Sequence, residues 1–99
     1  MNKHQSDEYK SMLKEAIEVD GLQFALDALQ EECSELISAI SHLRRGRCDT
    51  TKVIEELADV IMMGDMVRIG LDNEIGFYDY IKAKSEKVGN KIRFKKGIK

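Results

Sequence analysis

A chain of 99 residues makes one domain with a modest core, and a domain this small is helped by association with further chains. It has no proline or tryptophan and only short β-branched runs, so an all-α fold is expected. The net charge of −2 hides an asymmetry, because residues 1–81 carry a net −9 and residues 82–99 a net +7.

These features narrow the function classes. No apolar run approaches the ~20 residues that span a membrane. The polar start, Met1 to Glu8, lacks the apolar core of a signal peptide. Two cysteines make no disulfide framework, so Cys33 and Cys48 read as free thiols of a soluble, cytoplasmic protein. A nucleic-acid reader is disfavoured: the basic tail holds one aromatic residue, Phe94, and the acidic body without metal repels phosphate.

Four helices are expected. The first runs from about Ser6 to Val19, with Ser6 as N-cap, Met12, Leu13, Ala16 and Ile17 on its apolar face, and Asp20-Gly21 as its break. The second runs from about Gly21 to Arg45. Its apolar positions Leu22, Leu26, Leu29, Cys33, Leu36, Ile40 and Leu43 alternate four and three apart, the seam of an antiparallel bundle. Gly46 follows as the C′ residue. The third runs from about Thr51 to Gly70, capped by Asp49, Thr50 or Thr51. Its stripe is Val53, Leu57, Val60, Gly64, Val67 and Leu71, with Gly64 permitting close approach. The fourth runs from Asp72 or Asn73 to about Asn90 and is followed by a frayed or extended basic tail. The fold class is thus an all-α, single-domain, antiparallel four-helix bundle.

The chemistry sits in two acid runs, Glu31-Glu32-Cys33-Ser34-Glu35 and Glu56-Leu57-Ala58-Asp59. Residues three apart share a helix face, so Glu32 pairs with Glu35 and Glu56 with Asp59. Each of the four sits one residue before a stripe position. The connecting loop, Gly46 to Thr50, is short and makes the helices antiparallel neighbours. Equal backward rotation on two antiparallel helices leads to the same side, so the four carboxylates converge. Their axial offset is roughly 7 Å at ~1.5 Å per residue. Clustered carboxylates resist ionising unless a cation sits among them. An oxygen-only set suits magnesium, with manganese as the alternative. A di-iron centre needs two Glu-x-x-His pairs, and here Ser38 follows Glu35 and Asp59 follows Glu56 at that spacing. Magnesium usually meets protein carboxylates together with substrate phosphates, which points to phosphoryl chemistry. The competing reading is an amphipathic helix with an acidic outer face.

The runs EECSE at 31–35 and EELAD at 55–59, nineteen residues apart, resemble the Glu-Glu-x-x-Glu and Glu-x-x-Asp motifs of the MazG-type all-α nucleotide pyrophosphohydrolases. ALQEECSELISAI and VIEELADV are similar to that family's two metal helices, and KVGNKIRF to its C-terminal Lys/Asn/Arg motif. The likeness covers roughly residues 22–94. It implies magnesium-dependent hydrolysis of a nucleoside triphosphate to monophosphate and pyrophosphate, by a homodimer or homotetramer. Glu32, Glu35, Glu56 and Asp59 would be metal ligands. Glu35 would be the base that activates water, with Glu31 as the alternative. Lys87, Asn90 and Arg93 would contact the nucleotide. A dUTP/dUDP hydrolase, a phosphoribosyl-ATP pyrophosphatase and a non-catalytic helical interaction protein are the alternatives.

Among the remaining residues, Lys52 lies four before Glu56 and is placed to pair with it or with phosphate. His42, Arg44, Arg45 and Arg47 read as solvated. Met62, Met63 and Met66 read as core or subunit interface, and Tyr78 and Tyr80 as helix packing.

Overall fold

A computed structural model describes residues 3–97. They form three helices and no strand: α1 Lys3–Arg44, α2 Thr50–Leu71 and α3 Glu74–Lys95. The all-α expectation holds. The first two expected helices are joined into one bent element, because α1 changes direction at Gly21 (φ 86°, ψ 164°) without a loop. Ser6 accordingly lies inside α1 and does not start it.

Gly21 occupies a region of backbone space essentially closed to residues with a Cβ. Nothing lies within 4 Å of where that Cβ would sit, so a substitution there tests backbone strain alone. Gly21→Ala is expected to destabilise the fold by about 1–3 kcal/mol, read from chemical denaturation.

The bend lets both halves of α1 lie along α2. Leu13 from residues 3–20, Ala25 from residues 22–44, and Met66 and Val67 from α2 form the buried core. Tyr9, Ala16, Ile17, Leu26, Leu29, Met62, Met63 and Ile69 pack around it. Met66 is thus core, as one of its two readings held. Close approach occurs at Gly70, whose added Cβ would lie 2.9 Å from Leu22 Cδ1 and 3.0 Å from Ile17 Cδ1, one contact on each side of the bend. Gly64, where close approach was expected, faces open space.

The helix ends follow local chemistry. Past Arg44, Gly46 N–H donates to Leu43 O and Arg47 N–H to His42 O, closing α1. Asp49 caps α2 by accepting from Thr51 N–H at 3.0 Å. Asp72 ends α2 in the left-handed region (φ 51°), and Asn73 caps α3 by accepting from Gly76 N–H. The expected stop near Asn90 is overturned: α3 continues through Ile92 to Lys95. Lysine and arginine near a helix C-terminus complement its dipole, and no proline interrupts the run. Ile98 and Lys99, the end of the expected tail, lie outside the described residues.

α3 carries no buried residue. It meets the end of α2 and makes no close backbone approach to α1. The radius of gyration, 16.7 Å, exceeds the roughly 12.6 Å of a compact chain this long. A four-helix bundle is therefore not closed within the single chain. Among the described residues, no helix is long and apolar enough to cross a membrane.

Candidate metal centre

The α1–α2 seam differs from the apolar stripes by one residue. On the second half of α1, residues 22–44, the buried positions are Ala25 and Ala39. On α2, Glu56 is only 6 % exposed while its stripe neighbour Leu57 is 44 % exposed. The seam is turned toward the acids, so Glu56 lies in it and not on its flank. Apolar periodicity cannot reveal this, because α2 has apolar residues on two faces and only one of them meets α1.

This rotation brings carboxylates together. Glu32, Glu35 and Glu56 each offer an oxygen within 4.8 Å of the others. Glu32 is half-buried and Glu35 exposed, so the group opens to solvent on one side. Asp59 is half-buried, and its charge helps raise the pKa of Glu32, so it lies close to the group without joining the tight set. Glu31 is exposed and stands outside it. Lys52 Nζ pairs with Glu56 Oε1 at 2.8 Å, the pairing reading for this residue.

One oxygen each of Glu32 and Glu56 is buried with no hydrogen-bond partner. Buried carboxylate oxygens without a donor are costly, and a hard cation would satisfy both. The donor set fits magnesium: all oxygen, on two packed helices, with one side open.

The electrostatics carry the same mark. Burial, then the charge of Glu35 and Asp59, pushes the Glu32 carboxyl above its usual range. The hydrogen bond from Lys52 holds Glu56 below that range, against the opposing effect of burial. Lys52 is raised in turn by the same hydrogen bond. A group whose pKa is raised by folding contributes stability below its unfolded value and loses it as pH rises through the folded value. For a lowered group, stability is present above the unfolded value and lost as pH falls through the folded one. Metal-free protein should therefore gain stability as pH falls from neutral through the raised value of Glu32. It should lose stability again below the ordinary carboxylate range, as Glu56 protonates. Melting temperatures across pH in chelator should show this maximum. Glu32→Gln should remove the rise, and saturating magnesium should reverse it.

Lys87, Asn90 and Arg93 are not brought to the acids by their own chain. All three are exposed on α3, beyond the elbow at Asp72. His42, Arg44, Arg45 and Arg47 are exposed at the far end of α1 and in the loop, in keeping with the solvated reading. Cys33 and Cys48 are free and half-buried.

A second polar group, not foreseen from sequence, fastens the elbow. Arg68, 9 % exposed, donates to Glu74 Oε1 at 3.0 Å and to Asp65 Oδ1 at 3.3 Å. Its guanidinium carbon lies 5.3 Å from the Phe77 ring centre and 5.7 Å from that of Tyr78. Tyr9 OH donates to Asp65 Oδ2 at 2.9 Å; burial and that hydrogen bond push its pKa up to about 12. Lys10 reaches Glu74 at 3.8 Å. Asp65 and Arg68 stand three apart on α2, beside the stripe residue Val67, and that spacing was the available signal.

Comparison of the chain with protein-family models, with curated proteins and with solved structures finds no match to any of them.

Proposed function

We propose that this protein is a magnesium-dependent nucleotide pyrophosphohydrolase of the MazG kind, acting on a nucleoside or deoxynucleoside triphosphate in nucleotide-pool housekeeping. One observation carries the reading: two buried carboxylate oxygens without partners, on Glu32 and Glu56, inside a three-carboxylate group that opens to solvent.

When bound, magnesium (or manganese) supplies Lewis-acid charge on the phosphates. Glu32 and Glu56 would hold it, with Glu35 and Asp59 alongside. Glu35, the exposed member, takes the proton of the attacking water. The water oxygen bonds to the α-phosphorus, the bond from that phosphorus to the bridging oxygen breaks, and pyrophosphate leaves with the electron pair. Glu31, outside the tight set, is the weaker candidate for the base. Lys52 would release Glu56 and turn to phosphate.

Lys87, Asn90 and Arg93 would bind the nucleotide from α3. Because α3 leaves its own body, they would reach the acids of another copy. The proposed assembly is a homodimer or homotetramer in which helices of different copies complete a four-helix bundle.

The test is incubation with magnesium and a panel of NTPs and dNTPs, extended to dUTP, dUDP and phosphoribosyl-ATP, with monophosphate and pyrophosphate as readouts. Release of both products from any member supports the reading and names the substrate. An inert protein across the panel would overturn it. The exposed apolar faces of α2 and α3 favour a second reading, a non-catalytic interaction protein. That reading requires magnesium to leave the melting temperature unchanged, whereas a metal centre requires a rise.

A further inference from the structure

The chain exposes 8029 Å², against about 5700 Å² for a compact monomer of its 11.3 kDa mass. The excess, roughly 2300 Å², is more than the ~800 Å² that each partner buries in an ordinary stable interface. Two apolar faces are part of the exposed surface. On α2, Ile54, Leu57 and Ile61 stand at i, i+3 and i+7 and are all exposed. An exposed apolar stripe of this kind marks a surface that a partner covers. On α3, Tyr78, Ile81, Val88 and Ile92 follow a three-and-four spacing, with Ser85 completing it, and are exposed too.

Most helical stability in proteins comes from packing an amphipathic face, and α3 has no buried side chain, so it needs a surface to lie on. Its own body does not provide one. The linker of Asp72 and Asn73 is short, and Arg68 pins the first turn of α3 through Glu74, Phe77 and Tyr78. From Asp79 onward every residue described on α3 except Gly89 is exposed. Charge then selects the surface. Residues 82–99 carry a net +7, and residues 1–81 a net −9. Arm against arm repels, and body against body repels; only arm against body attracts.

We propose that two copies of this chain exchange their α3 arms, each laying its Tyr78–Ile81–Val88–Ile92 stripe on the Ile54–Leu57–Ile61 face of the other. Arg68 is the positioning residue that holds each arm away from its own body. The contact is reciprocal, so it closes on itself with two-fold symmetry. This inference names the surface used in the proposed assembly and does not depend on the proposed catalysis.

The test is analytical ultracentrifugation of the full chain and of two variants. Ile81→Asp/Val88→Asp breaks the arm, and Leu57→Asp/Ile61→Asp breaks the face. All four positions are exposed in the single chain, and circular dichroism checks that helicity is kept. Should either aspartate pair lower it, the corresponding serine pair serves instead. The unmodified chain is expected to dimerise, with weaker association as salt rises. Each variant should dimerise about a hundredfold more weakly. An equimolar mixture of the two should associate again, because one intact arm then meets one intact face.

A monomeric unmodified chain would overturn the proposal. An arm variant that still dimerises would show body-to-body contact, and a face variant that still dimerises would show arm-to-arm contact. A mixture that stays monomeric would exclude exchange. All four readouts are hydrodynamic, so they stand whether or not the nucleotide panel shows turnover.

Discussion

Glu35→Gln should reduce magnesium-dependent pyrophosphate release by about 10²–10⁴-fold, the usual contribution of a positioned general base. Glutamine keeps the side-chain length and can still accept through its amide oxygen, but it cannot take a proton from water. Glu35 differs from Glu32 and Glu56 in one decisive respect. Its partners in the group are buried enough to have oxygens sealed from solvent, while Glu35 is exposed at the open side. A base must meet water and substrate; a ligand need only meet the cation. The same substitution should leave the magnesium-induced rise in melting temperature largely in place, since Glu32 and Glu56 retain their buried, unpartnered oxygens. Glu56→Gln should abolish both turnover and that rise. If Glu35→Gln turned over substrate at the rate of the unmodified protein, the base assignment would fall. Glu31→Gln would then be the next variant, although Glu31 stands outside the group.

Leu13→Ala should destabilise the fold by about 2–5 kcal/mol, measured by urea unfolding. Leu13 is fully buried, and it is the one large side chain among the described residues with that status. It packs where the first half of α1, the second half of α1 and α2 meet, with Ala25, Met66 and Val67 as neighbours. Removing it opens a cavity that Ala25 is too small to fill. A small domain has about 5–15 kcal/mol in total, so the loss is a large fraction of it. Leu13→Met, which conserves volume, should cost less than about 1.5 kcal/mol. Equal effects from the two substitutions would show that the site has no packed core. Because the apolar faces of α2 and α3 lie outside this core, the loss at Leu13 should appear as unfolding and not as selective dissociation.

The acid pairs were legible in the sequence because a three-residue spacing fixes a helix face whatever surrounds it. Glu32, Glu35 and Glu56 meet as that spacing and the short loop, residues 45–49, imply. The depth of Glu56 was not legible. Its place in the seam depends on which of two apolar faces of α2 turns to α1. Gly70 and Met66 settle that choice through contacts with residues more than forty positions away. The Arg68 group was equally hidden, since Tyr9 and Asp65 are 56 residues apart and no local pattern joins them.

Local patterning along the chain carried the helical class, a break at Asp20-Gly21, a cap among Asp49, Thr50 and Thr51, the closure at Gly46 and the acid-rich faces. Each of these follows from interactions within a few residues along the chain. Packing in the folded chain set the rest: Gly70 as the point of close approach, Glu56 inside the seam, and α3 leaving its own body as a basic arm. Those outcomes depend on packing between distant segments, and the helical period of any one segment does not contain them.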